Sequence, residues 1–146
     1  MKRADNLTSA QRSERMSRVR CRGNKSTELR VGRVLQAQRL TGWVRHPPYV
    51  YGRPDFYFRR SRLALFVDGC FWHRCPTCKR RLPTARASFW RAKLNSNRAR
   101  DLSVTRRLRR EGFHVMRVWE HRLALPGWLL RLRRMLQARP LRGAAI

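Results

Sequence analysis

Between Gly52 and Cys78 the chain carries two short apolar runs, Phe56-Tyr57-Phe58 and Leu63-Ala64-Leu65-Phe66-Val67, separated by Arg59-Arg60-Ser61-Arg62. Runs rich in aromatic and β-branched residues, bounded by turn formers, predict a β-hairpin. Pro54 cannot donate to a central ladder, so it belongs at a strand start and fixes Asp55 at the entry to the first strand. Asp68 falls at the end of the second strand and His73 just beyond it. The hairpin therefore predicts two carboxylates and an imidazole at one edge of a sheet. Carboxylates hold a hard cation such as Mg²⁺, and an imidazole exchanges a proton near neutral pH. Those groups are the minimum for metal-assisted hydrolysis.

The flanking pattern builds this hairpin into an α/β domain. Ser26 to Arg39 reads as a helix with Val31, Val34 and Leu35 on its apolar face, and Glu28 reads as a carboxylate favouring the helix N-terminus. Trp43-Val44-Arg45 is a short strand broken by His46-Pro47-Pro48, which makes His46 a loop residue. Ala87 to Arg110 predicts a long helix with Phe89, Trp90, Leu94, Ala99, Leu102, Val104 and Leu108 as its stripe, closed by Glu111-Gly112. Phe113 to Trp119 reads as a strand, and strand–helix–strand predicts a crossover between parallel neighbours. Pro126 opens a last amphipathic helix over 128–136. Residues 1–22 read as a separate basic arm, with an N-cap at Thr8 or Ser9, ahead of a single α/β domain over 23–146.

Charge decides the partner class. With 36 Lys and Arg against 8 Asp and Glu, the formal charge is +28, which calls for a polyanion. Acids are then costly near the partner unless a cation neutralises them, so two in the central hairpin stand out. The first residues lack the apolar segment of a secretory signal and no run is long enough to span a membrane, so a cytoplasmic protein is expected.

Cys70, Cys75 and Cys78 place three thiols in one compact loop, a spacing that favours metal over disulfides in a reducing compartment. Tetrahedral Zn²⁺ needs a fourth ligand. Cys21 and His121 are the candidates, and His121 is preferred because it leaves a strand expected to run beside the hairpin. Phe71 and Trp72 sit between the first Cys and the other two; one packs under the metal, or they act as a wedge between base pairs. Trp90, at the start of the long helix, either faces the same groove or packs in the core.

The order Gly52-Arg53-Pro54-Asp55-Phe56, Val67-Asp68-Gly69-Cys70-Phe71-Trp72-His73, Cys75-Pro76, Pro83-Thr84, Phe89-Trp90, Asn97 with Arg100-Asp101, and Val118-Trp119-Glu120 resembles the very-short-patch repair (Vsr) endonuclease family. The likeness covers roughly residues 12–122. It implies a restriction-endonuclease-like fold, a mixed central sheet flanked by helices with a structural zinc loop, that nicks one DNA strand beside a T·G mismatch left by 5-methylcytosine deamination. By motif, Asp55 matches the Mg²⁺-binding acid, His73 the general base, and Glu28 an acidic residue of the same site, which displaces the capping reading. Cys70, Cys75, Cys78 and His121 match the structural Zn²⁺ ligands, with Cys78 displaced by one position. Phe71, Trp72 and Trp90 match intercalating aromatics, Met16 an apolar residue inserted by the arm, and Asn97 joins the DNA-binding set. Where some members have Thr-His this chain has Val67-Asp68, so the Val67 carbonyl and the Asp68 carboxylate are expected to complete the Mg²⁺ site. The implied partners are mismatched double-stranded DNA and mismatch-repair proteins, with a monomer working at the bacterial nucleoid and no membrane. Rival readings are an endonuclease of other sequence preference and a catalytically silent zinc-containing DNA-binding module.

Overall fold

Four strands and three long helices carry the domain in a computed structural model that describes residues 25–138 together with residues 8 and 11. Helix α1 (Lys25–Ala37) is followed by β1 (Trp43–Arg45), β2 (Phe56–Phe58) and β3 (Leu63–Asp68). Helix α2 (Ala87–Arg110) crosses to β4 (His114–Trp119), a 3₁₀ turn spans Glu120–Ala124, and α3 (Gly127–Gln137) closes the fold. Strand order is β1-β2-β3-β4, antiparallel up to β3 and parallel between β3 and β4, as the strand–helix–strand pattern predicts. Of the arm, Met16 and Cys21 lie outside the described residues. Thr8 and Gln11 exchange backbone-to-side-chain hydrogen bonds of 3.0 and 3.2 Å, the reciprocal pair of a capping box.

Period-two alternation along the strands sorts the core into two layers. Leu63 and Leu65 of β3 and Met116 and Val118 of β4 join Val31 and Leu35 of α1 and Trp128 and Leu132 of α3 on one face. Ala64, Phe66 and Val115 meet Val104 and Leu108 of α2 on the other. The same alternation puts Asp68 and Arg117 on the α2 face, where β3 and β4 stop being apolar. The Gly52 loop packs on this face too, at φ +76, and an added Cβ would lie 2.3 Å from Val104 Cγ1. Glycine there lets the segment carrying Asp55 lie against α2.

One correction concerns α2. Phe89 and Leu102 are 41% and 50% exposed and Ala99 is exposed too, so they do not form the buried stripe. The buried positions are Trp90, Leu94, Asn97, Val104 and Leu108. With Asp101 half-buried between them, the face turned to the sheet runs 90-94-97-101-104-108 and holds two polar residues at its centre. None of the described helices is long and apolar enough to cross a membrane.

Candidate active site

The first polar pocket forms where α1 meets the ends of β1 and β2. Glu28 shares a helix face with Val31 and Leu35, three and seven residues on, and so points at the sheet rather than into solvent as a dipole cap. It is 3% exposed. Its Oε2 accepts from Arg45 Nη2 at 2.7 Å and lies 2.8 Å from His46 Nε2. Its Oε1 is buried with no hydrogen-bond partner. Asp55, also buried, accepts the Val67 N–H on Oδ2 at 2.6 Å, and its Oδ1 lies 3.9 Å from His46 Nδ1. Burial pushes the Asp55 carboxyl up from 3.8 to about 7; the Val67 N–H opposes this, and the Glu28 and Asp68 carboxylates add to it. Two buried acids, one with an orphaned oxygen and one disfavoured as an anion, fit a divalent cation. One donor atom each from Glu28, His46 and Asp55 lie within 4.8 Å of one another. That span matches roughly the 3 to 4.5 Å separations between ligands of one octahedral ion.

A second set lies where β3 and β4 end against α2. His73 is 9% exposed and its Nδ1 is hydrogen-bonded to Asp101 Oδ2. Arg117 donates to both oxygens of Asp68, at 2.7 and 2.9 Å, and pairs with Asp101 Oδ1 at 2.9 Å. One guanidinium thus spans two carboxylates, and Asp68 Oδ1 lies 3.9 Å from His73 Nδ1. For His73, burial works against the proton, but the bond to Asp101 and the charges of Asp68 and Asp101 outweigh it, so the ring's pKa is raised; Arg117 opposes. Asp101 is held below the ordinary carboxylate value because His73 and Arg117 outweigh its burial. Asp68, expected to help complete the Mg²⁺ site, has both oxygens on Arg117 and lies outside the donor cluster around Asp55. Val67 reaches Asp55 through its amide, as a donor.

Downstream of β3, Cys70, Cys75, Cys78 and His121 converge. Their sulfurs lie 3.2, 3.7 and 3.4 Å from His121 Nδ1. A tetrahedral Zn²⁺ needs ligand separations of roughly 3.5 to 3.8 Å, so this donor set suits one zinc ion. The 3₁₀ turn after β4 delivers His121, and Glu120 Oε2 accepts the Cys70 N–H at 3.2 Å. Burial and the neighbouring thiols push Cys70 up to about 11, although a hydrogen bond to His121 works against it.

The same loop presents aromatic rings. Phe71 and Trp72 are half-buried, 5.2 Å apart between centroids, and rest on Trp90 at 5.7 and 6.0 Å. Trp90 is 9% exposed and forms the base of the cluster, while Phe89 stands outward beside it. Arg86 lies 4.6 Å over Phe89, and Lys93 lies 6.0 Å from Trp72. Asn97, expected in the DNA-binding set, is 6% exposed and donates to the Trp72 carbonyl at 3.1 Å, holding the aromatic loop to α2. Sequence reading gave no site role to His46, to Asp101, which stands in the motif order, or to Arg117. The polar pair Asn97 and Asp101 inside an otherwise apolar helix face was the available signal.

The family described as DNA mismatch endonuclease Vsr matches residues 4–80 of the chain. The chain is 36% identical over 118 residues to the Type II nicking enzyme V.NmeDIP of Neisseria meningitidis serogroup C, covering 80% of this chain and 78% of that one. It is 34% identical over 117 residues to the DNA mismatch endonuclease Vsr of Escherichia coli K12, covering 80% and 74%. To the Type II nicking enzyme V.NaeI of Lentzea aerocolonigenes it is 45% identical over 69 residues, which is 47% of this chain but 41% of that longer protein.

Proposed function

We propose, from the premise that this chain belongs to the Vsr family and is a DNA endonuclease, that it nicks one strand of duplex DNA beside a T·G mismatch in a Mg²⁺-dependent reaction. The observation that carries the metal-dependent reading is the buried Glu28–Asp55 pair with its unpartnered Oε1. Glu28 and Asp55 would hold the ion. When bound, Mg²⁺ supplies the positive charge that neutralises the scissile phosphate and stabilises the leaving 3′-oxygen.

The remaining work falls to this chain's side chains. Asp101 holds His73 by Nδ1, which leaves Nε2 to take a proton from the attacking water. Arg117 fixes Asp101 and Asp68 together, so the imidazole faces a locked carboxylate rather than a mobile one. Zn²⁺ on Cys70, Cys75, Cys78 and His121 braces the loop bearing Phe71 and Trp72. Those rings, backed by Trp90, act as the wedge, and a wobble pair is cheaper to unstack than a matched one. Exposed members of the 36 basic residues supply the phosphate contacts, and residues 1–22, with Met16, act as an arm that adds to them from the other groove. In this reading the enzyme works as a monomer in the bacterial cytoplasm, on the nucleoid, alongside mismatch-repair proteins.

A second reading keeps the chemistry and changes the preference, because relatives such as V.NmeDIP are called nicking enzymes rather than mismatch enzymes. Nicking rates on otherwise identical T·G and T·A duplexes separate the two. The mismatch reading expects the T·G duplex to be cut at least about 100-fold faster, the discrimination worth about 2.7 kcal/mol. Equal rates would remove it.

A further inference from the structure

We propose that His46 completes the cation pocket as a third protein ligand, giving an oxygen–nitrogen donor set that favours Mn²⁺ over Mg²⁺. The inference rests on the reading of Glu28 and Asp55 as the cation-binding pair and adds what those two acids do not decide, the choice of metal. The imidazole sits between them, with Nε2 2.8 Å from Glu28 Oε2 and Nδ1 3.9 Å from Asp55 Oδ1. Arg45 already occupies Glu28 Oε2 at 2.7 Å, which leaves the orphaned Oε1 as the free donor of that carboxylate.

The backbone holds the ring there. His46 adopts φ +46, in the left-handed region that a side chain with a Cβ rarely takes, and Pro47-Pro48 follow it directly. A conformation of that kind persists where its surroundings impose it. The side chain is 34% exposed, so one side of the pocket opens to water and to a phosphate oxygen that would fill the remaining positions around an ion.

Ligand chemistry then sets the preference. Mg²⁺ selects oxygen donors and keeps its waters, whereas an imidazole nitrogen adds affinity for first-row transition ions. Mn²⁺ is the suitable probe. It stands lowest among those ions for nitrogen and sulfur sites, so it leaves zinc on the thiolates.

The experiment uses the full-length, zinc-loaded protein. Mn²⁺ binding is titrated by EPR, nitrogen coupling to the bound ion is read by electron spin-echo modulation, and Mg²⁺ affinity is measured by competition. Wild type should show ¹⁴N modulation that is lost in His46→Gln. That variant should bind Mn²⁺ about 10-fold or more weakly while its Mg²⁺ affinity moves by less than about threefold. Wild-type Mn²⁺ without ¹⁴N modulation would overturn the inference, and that arm needs no substitution. So would a His46→Gln protein that binds Mn²⁺ as tightly as wild type or tighter, since the imidazole would then be a plug that the ion displaces. An Asp55→Ala protein binding Mn²⁺ as wild type does would instead sink the underlying pocket.

Discussion

Replacing Asp55 with Asn should make the divalent-free protein more stable while abolishing nicking. The rise of the Asp55 carboxyl from 3.8 to about 7 corresponds to about 4 kcal/mol of unfavourable charge in the folded state, at about 1.4 kcal/mol per unit. Asparagine carries no charge. Its Oδ1 can keep the Val67 N–H. Because the folded-state value lies above the unfolded one, wild type loses stability relative to the variant as pH rises. Well below pH 3.8 Asp55 is protonated in both states and the two proteins should differ least; the gap should open as pH rises from there through about pH 7 and level off above it. Allowing for local relaxation, Asp55→Asn at pH 8 should gain about 2 to 4 kcal/mol, or at least about 4 °C in Tm. The assay is thermal melting across pH in divalent-free buffer with zinc retained, followed by addition of Mg²⁺ or Mn²⁺, which should raise the wild-type Tm and leave the variant's unchanged. A variant no more stable than wild type at pH 8 would refute the buried-acid argument.

Other consequences can be measured separately. Arg117→Met leaves Asp68 and Asp101 without their shared cation and should cost about 3 to 5 kcal/mol by denaturant unfolding, with Asp68→Asn in the same chain recovering part of the loss. Asp101→Asn removes the main partner of the His73 proton, so the acidic limb of single-turnover nicking should move to lower pH with a reduced plateau; an unmoved limb would count against His73 as the base. Zinc should be present at one ion per chain, and its uptake by metal-free protein at pH 7.5 should release protons, read as a buffer-dependent enthalpy, because Cys70 alone is held up to about 11 without it.

Much of the frame was legible before any coordinates. The apolar runs around Arg59-Arg60-Ser61-Arg62 gave the antiparallel pair β2–β3, and the long helix between two strands gave the parallel β3–β4 pair. The fold is the mixed α/β, restriction-endonuclease-like architecture that the motifs imply. Helix α2 was delimited correctly, but its face was misread, because counting apolar residues credits Phe89 and Leu102 and passes over Asn97 and Asp101. Asn97 is buried and Asp101 half-buried for their hydrogen bonds, to the Trp72 carbonyl and to His73, and hydropathy assigns such positions to solvent. Asp68 shows the same limit from the other side. Its place at a strand end was readable, while its pairing depends on Arg117, 49 residues away on the neighbouring strand. His46 looked like a loop residue and is one; only the return of the chain past α1 sets it between two acids.

The central claim is that the pocket around Asp55 cuts one strand of DNA. Single-turnover cleavage of a T·G duplex labelled on both strands, comparing wild type with Asp55→Ala at saturating protein and divalent ion, tests it directly. Wild type should break one strand only, and Asp55→Ala should bind the duplex with a similar Kd while leaving both strands whole. An Asp55→Ala protein that cleaves at the wild-type rate would place the chemistry elsewhere in the molecule.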